Sequence, residues 1–199
     1  MDAVPEKRKY RMVARAQGAE ETRTRILEAA WRAFAELPYD RVRLAAIASE
    51  AGVTAQTLHA QFGTKDALFT ATWQRRMEPE EARRESAAPG DVRGAVRVLY
   101  DSYEEAGDAA LRLLAQEERI PAVLEMTDAG RRWHRLWVER TFAALLDSLA
   151  GARRERRLVR LVVATDLQVW KLLRREMRLG RGAAERIVLE MLTEQEGET

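Results

Sequence analysis

Two short amphipathic helical patterns in tandem, within residues 43–66 (RLAAIASEAGVTAQTLHAQFGTKD), constrain the fold of this chain more than any other feature. In the first pattern, four apolar residues recur at intervals of three and four positions, which places them on one face of a helix. They are Leu44, Ile47, Ala48 and Ala51. Gly52 follows where a helix can end in a left-handed residue, a conformation that glycine adopts without steric cost. The sequence therefore predicts a helix, a sharp turn and a second helix.

The second pattern begins at Thr54, a residue type that caps helix N-termini well. Leu58 and Phe62, four residues apart, are predicted to face inward. The outward face is small, polar and mostly uncharged, and it carries Gln56, Thr57, His59 and Ala60. Such a face suits base edges, because amides and hydroxyls pair with base donors and acceptors while small side chains let the backbone come close. The layout is typical of a helix-turn-helix whose second helix lies in a DNA major groove.

These residues, with ILEAA at 26–30 upstream and KDALF at 65–69 downstream, resemble the amino-terminal domain of the tetracycline-repressor (TetR) family of bacterial transcription regulators. The resemblance covers about residues 20–73 and includes Tyr39, an aromatic residue before the second helix. It implies an all-α fold with a three-helix helix-turn-helix DNA-binding domain and a larger helical domain that dimerises and often binds a small effector. It also implies that the third helix enters the major groove of a double-stranded DNA operator.

The pattern and the family alignment together predict a set of DNA-contacting residues around the motif. They are Arg43, Thr54, Ala55, Gln56, Thr57, His59, Gln61 and Lys65. His59 stands where the family usually has tyrosine. Arg43 stands where threonine commonly caps the second helix, so a cap is lost while a phosphate-seeking guanidinium is gained. Lys65 begins the next helix, where its ammonium and the free N–H groups can both meet a phosphate. Simple solvent exposure is the alternative for each of these polar side chains.

The charges are distributed unevenly along the chain. Residues 1–76 carry 13 Lys and Arg against 9 Asp and Glu, whereas residues 77–199 carry 21 against 23. A basic arm at residues 1–17 lacks an apolar stripe and is predicted to be disordered in the free protein. On DNA, it is expected to follow the phosphates or to enter a minor groove. A solvated tail is the alternative. The other predicted segments are a DNA-binding domain at 18–64 (motif 43–62), a connecting helix at 65–85 and an effector-binding and dimerisation domain at 86–199.

Helical patterns fill both predicted domains. The first is expected at about 20–36, and the later ones at 92–106, 108–118, 128–150, 153–178 and 182–194. The last two carry more apolar surface than one small domain needs, so we expect them to pair with their copies in a second subunit as a four-helix bundle. An intramolecular bundle is the alternative. The residues expected at the dimer interface are Leu158, Leu161, Val162, Thr165, Val169, Leu172, Ile187, Val188 and Met191.

The second predicted domain also holds large side chains that are available to line a pocket for a small apolar or aromatic effector. They are Tyr100, Tyr103, Met126, Trp133, His134, Trp137, Phe142 and Trp170. Because aromatic residues at helical spacing ordinarily fill interiors, a simple core is the alternative for each of them.

Composition excludes several other classes of function. The absence of cysteine excludes disulfides, zinc–thiolate sites and thiol catalysis. Two histidines, four serines and no GxSxG, HExxH or phosphate-loop motif predict neither an enzyme nor a metal or cofactor site. No apolar run approaches the roughly 20 residues that span a bilayer, and no signal-peptide pattern is present, so a cytoplasmic location is expected. We therefore expect a homodimeric, sequence-specific transcription regulator, most often a repressor in this family, that an effector releases from its operator. The alternative is a DNA-binding regulator with no small-molecule response.

Overall fold

The computed structural model describes residues 4–88 and 90–194, with side chains from Arg15 onward. These residues form nine α-helices and contain no β-strand, which confirms the predicted all-α class. The helices are α1 (Val4–Glu36), α2 (Leu44–Glu50), α3 (Ala55–Phe62), α4 (Lys65–Glu85), α5 (Val92–Leu114), α6 (Pro121–Thr141), α7 (Gly151–Ala164), α8 (Leu167–Lys171) and α9 (Arg181–Thr193). Short 3₁₀ turns lie at Tyr39–Arg41 and Ala143–Leu145, and α8 continues into a π-helical turn at Leu172–Glu176.

The chain divides into two compact units, one up to Arg76 and one from Met77 onward, so the division falls within α4. In the first unit, α1, α2, α3 and the beginning of α4 enclose a small core. Phe34, Tyr39 and Phe69 form its aromatic centre, with ring centroids 5.0–5.6 Å apart. Such aromatic pairs stabilise a core beyond the area that they bury. This core holds α2 and α3 in place.

In the second unit, α5 to α9 surround a larger core. Trp137, Trp170, Tyr100 and Phe142 are almost completely inaccessible to solvent. Full burial of one large apolar side chain contributes about 1.5–3 kcal/mol, so these side chains account for much of the unit's stability.

The first helix starts earlier than the sequence pattern predicted. It begins at Val4, and it therefore includes residues 4–17 of the basic arm, which we expected to be disordered. Pro5 lies in the first turn, where proline is tolerated, and the arm is rich in arginine, lysine and alanine, which favour helix. The side chains of Lys7, Arg8, Lys9 and Arg11 lie outside the described residues.

The boundary that we predicted at Gly107 is wrong, because α5 runs unbroken from Val92 to Leu114. Gly107 is buried in this helix, and a Cβ atom there would come within 2.7 Å of the Trp170 ring. The glycine thus provides room for a close approach between helices rather than a helix end.

Two further predicted boundaries are also wrong. α6 starts at Pro121, because proline suits a first helical position, and it ends at Thr141 rather than near residue 150. The long pattern at 153–178 is interrupted between α7 and α8. Thr165 Oγ1 donates back to the Leu161 carbonyl over 2.7 Å, and the Asp166 carboxylate accepts from the Gln168 N–H over 2.7 Å. Asp166 therefore starts a new helix.

Candidate nucleic-acid interface

The turn between α2 and α3 has the predicted geometry. Gly52 has φ of +66°, in the left-handed region, and the Val53 N–H donates to the Ala48 carbonyl over 2.9 Å. Ile47 and Ala48 are buried, so the predicted packing face of α2 is confirmed. The side chain of Arg43 is exposed and forms no cap at the start of α2, as predicted. The turn fixes the direction in which α3 leaves α2.

Thr54 caps α3, because its Oγ1 accepts the Thr57 N–H over 3.1 Å. Leu58 and Phe62 are buried, and the cation of Arg23 on α1 lies 4.6 Å from the Phe62 ring centroid. The buried side of α3 therefore faces the core formed with α1 and α2, and its other side faces outward.

The outward side of α3 carries most of the residues predicted to enter a groove. Thr54, Ala55, Gln56, His59 and Ala60 are exposed, and Thr57 is half-buried. Gln61 differs from the prediction because it is half-buried, and its Oε1 is inaccessible with no hydrogen-bond partner. Because base contacts require exposed donors and acceptors, Gln61 is less suited to a base contact than the exposed residues of α3.

Lys65 begins α4, three residues after the end of α3. Its Nζ lies 4.5 Å from the Tyr39 ring centroid, and partial burial lowers its pKa against the opposing effects of Asp40 and Asp66. The Tyr39 hydroxyl donates to the Asp66 carboxylate. Thr64 Oγ1 accepts the Ala67 N–H over 3.1 Å and caps the helix. An ammonium held beside a capped N-terminus is suited to a phosphate oxygen.

In the second unit, several of the residues predicted to line a pocket lie around a cation that no sequence pattern indicated. Arg84, near the end of α4, is buried, and its Cζ lies 5.2, 5.1 and 5.4 Å from the ring centroids of Tyr103, Trp133 and Trp137. Phe142 packs on Trp137 and Trp170 on Tyr103, while Tyr100 belongs to the same core. Met126 is buried on α6.

Polar groups complete the surroundings of Arg84. Its Nε donates to Glu80 Oε1 over 2.9 Å, and its Nη2 donates to Ser102 Oγ over 3.3 Å. Its Nη1 lies 3.3 Å from His134 Nδ1, which must accept because a guanidinium only donates. The i,i+4 spacing of Glu80 and Arg84 was visible in the sequence, but nothing there distinguished it from a solvated ion pair.

His134 is a neutral member of this cluster. Burial, and then the adjacent Arg84 charge, lower the pKa of His134 to about 3. Because Nδ1 accepts from Arg84, Nε2 carries the proton and donates towards Thr165 Oγ1, 3.1 Å away. The Tyr103 hydroxyl donates to the Thr165 carbonyl over 2.9 Å. The cluster thus links the end of α4 to α5, α6 and the α7–α8 break.

The residues predicted for a dimer interface lie at different depths in the second unit. Leu158, Leu161, Thr165 and Val188 are buried in the core of the single chain and have almost no surface for a partner. Val162, Val169 and Ile187 are half-buried, whereas Leu172 and Met191 are exposed. The heptad-like spacing correctly identified the buried side of these helices. It could not identify their neighbours, because one apolar stripe does not show whether the helix that covers it belongs to the same chain.

A capped, outward-facing α3 after a left-handed glycine turn defines a helix-turn-helix, and this part of the chain matches a known family. Residues 26–72 match the sequence model described as "Bacterial regulatory proteins, tetR family". No curated protein matches the chain. The predicted resemblance to the tetR family is confirmed for residues 26–72, the segment that contains the helix-turn-helix.

Solved structures share the fold across most of the chain. A transcriptional regulator from Rhodococcus sp. RHA1 is 17% identical, with a TM-score of 0.66 over 85% of this chain and 93% of that one. Salmonella enterica GusR is 20% identical, with a TM-score of 0.66 over 86% and 95%. SmeT, solved with triclosan, is 21% identical, with a TM-score of 0.65 over 86% and 89%. Among the described residues, no helix is both long and apolar enough to span a bilayer.

Proposed function

We propose that the protein is a homodimeric repressor that binds a specific DNA operator through α3 and leaves it when a small effector binds the second unit. The observation that carries this proposal is the exposed face of α3, fixed from behind by Leu58 and Phe62 and flanked by Lys65. Gln56 presents an amide on this face, and a bidentate amide–adenine contact contributes about 1–3 kcal/mol of discrimination.

Selection of binding sites from a random duplex library tests sequence-specific recognition. We expect the parent chain to select one two-fold symmetric site, since a dimer presents two α3 helices to the DNA. The two half-sites should lie one or more helical turns apart, and one turn of DNA is about 34–36 Å long. Gln56→Ala should select a site altered at one position in each half. Gln74→Ala, at an exposed amide on α4, is the matched control. An unaltered site for Gln56→Ala would contradict the assigned base contact.

The proposed dimer face consists of the exposed sides of α7 and α9, which pack against each other. Val159 and Val163 on α7 are 45% and 52% exposed, and Met191 on α9 is 38% exposed. Exposed Arg156 on α7 and exposed Glu190 on α9 would complement each other across a two-fold axis, because an isologous interface brings each patch against its copy.

Light scattering tests the dimer. The parent chain should have twice the monomer mass at micromolar concentration, whereas Val159→Glu/Val163→Glu should be monomeric because it buries like charges at the axis. Leu124→Glu, at a comparably exposed leucine on α6, should remain dimeric. A monomeric parent chain would refute the proposed assembly.

An apolar or aromatic effector is proposed to act in the second unit. Support comes from the aromatic side chains in that unit. The solved structure of SmeT, which has a similar fold, is a complex with the aromatic compound triclosan. The expected mechanism is a shift of α4 that changes the separation of the two α3 helices, to which a rigid duplex is sensitive. Operator affinity that is equal with and without a demonstrably bound ligand would favour the alternative, a regulator without a small-molecule response.

A further inference from the structure

The second unit contains an aromatic cage that the chain fills with its own cation. We define the Arg84 cage as the rings of Tyr103, Trp133 and Trp137 together with the carboxylate of Glu80. The guanidinium carbon lies 5.1–5.4 Å from all three ring centroids, inside the range of about 6 Å within which a cation is attracted to a ring face. Three aromatic rings around one point form a site that favours a positive charge.

The charges around the cage show what it would select without Arg84. Glu80 accepts from Arg84 over 2.9 Å and lies 3.7 Å from Arg83. Arg83 is also paired with Glu105 over 2.7 Å, so the two glutamates exceed that arginine by one negative charge. Arg84 also hydrogen-bonds to the hydroxyl of Ser102 and the neutral ring of His134, and the Asp166 carboxylate acts on Tyr103 from further away. A cage vacated by Arg84 therefore retains a negative surrounding and three electron-rich faces.

An anionic ligand is disfavoured here. To reach the guanidinium it would have to displace Glu80, which is on the same helix one turn away, and it would then lie against the negative faces of the rings. A cation would instead replace one positive charge with another and keep every interaction except the hydrogen bonds of Arg84. A weakly hydrated cation loses the least solvation on entry.

Exchange at the cage requires the Arg84 side chain to leave while its helix stays in place. Trp137 Nε1 donates to the Arg84 carbonyl oxygen over 3.2 Å, and this backbone contact does not depend on the position of the guanidinium. Arg84 is next to Glu85, the last residue of α4, and the wall formed by Trp133 is only partly buried. A rotated guanidinium would regain hydration, which offsets part of the interactions that it loses.

We propose that the Arg84 cage is a binding site for a small organic cation, of the quaternary ammonium or alkylguanidinium class, which takes the place of the Arg84 guanidinium. Binding itself does not depend on the proposed repressor function. The expected effect of the cation on DNA release rests on the proposed repressor function, because it would identify the effector as cationic.

Calorimetry with benzyltrimethylammonium at fixed ionic strength, and with neutral benzyl alcohol and anionic benzoate as comparisons, tests the proposal on the full chain. We expect the cation alone to bind the parent chain. Arg84→Met, which keeps an apolar stem and vacates the cage, should bind the cation about tenfold more tightly, because the ligand no longer has to displace the Arg84 guanidinium. Adding Glu80→Gln should abolish that gain.

Equal binding of the cation and benzyl alcohol, preferred binding of benzoate, or weaker cation binding by a folded Arg84→Met would each overturn the proposal. If circular dichroism shows that Arg84→Met does not fold, Trp133→Leu provides the test, because its partly exposed position tolerates truncation. That variant should bind the cation several-fold more weakly, and unchanged binding would overturn the cage. Cation binding that leaves operator affinity unchanged would support the cage and refute the effector role.

Discussion

The buried neutral His134 makes the stability of the second unit depend on pH in a defined window. Its pKa is about 3 in the folded protein, against 6.5 for an unperturbed histidine. The unfolded chain therefore binds a proton between these values that the folded chain excludes. The corresponding stability is fully present above pH 6.5 and is lost as pH falls towards 3.

The expected magnitude follows from the two pKa values. Between pH 7.5 and pH 5, the linkage relation gives a loss of about 2 kcal/mol in the free energy of unfolding. The pKa values of Glu104 and Glu117 are lowered from 4.5 by hydrogen bonds to Arg174 and to Thr127, respectively, so their contributions are lost only at lower pH. The window from pH 7.5 to 5 thus isolates histidine.

Urea unfolding followed by tryptophan fluorescence, at one protein concentration and several pH values, measures this loss. His134→Asn keeps a polar group beside Arg84 but cannot titrate, so its stability should change little across the window. His59→Asn replaces the chain's other histidine, which is exposed, and it should keep the parent slope. If the pH slope of His134→Asn equals that of the parent, the neutral buried histidine does not explain the pH dependence.

Three further predictions concern the DNA-binding unit and the second core. Lys65→Ala should weaken binding to all duplexes alike and reduce the slope of log affinity against log salt by about one, with Lys171→Ala as a control in gel shifts. Thr54→Ala should destabilise the first unit by about 1 kcal/mol in thermal unfolding, whereas Thr70→Ala, at an exposed α4 position, should have little effect. Gly107→Ala should destabilise the second unit by about 1–2 kcal/mol, because its Cβ would meet the Trp170 ring at 2.7 Å, whereas Gly130→Ala, with open space around it, should stabilise α6 by about 0.5–1 kcal/mol.

The sequence predicted the helix-turn-helix at residue level because its determinants are local. The left-handed Gly52, the Thr54 cap and the inward Leu58 each depend on residues a few positions away. The exposed amide of Gln56 followed from the same helical period.

The second unit was predicted less well because its determinants are contacts between residues far apart in sequence. Gly107 was assigned to a helix boundary, although its neighbour is Trp170. Arg84 was assigned only to the connecting helix, although its partners Ser102 and His134 are 18 and 50 residues away. Side-chain packing of this kind leaves no periodic signal in the sequence. Leu158 and Val188 were likewise assigned to the dimer interface, because an apolar stripe does not show whether the surface that covers it belongs to the same chain or to a partner.

The notch at Gly107 also limits how the second unit can move. A slide of α5 along α8 by about one helical turn would carry Tyr103 or Leu111, which share the face of Gly107, to the place where the Trp170 ring leaves no room for a Cβ atom. A slide of one turn is therefore blocked in both directions. We therefore expect a rearrangement of the second unit to move α5 and α8 together, with the adjustment taken up at the helices around them.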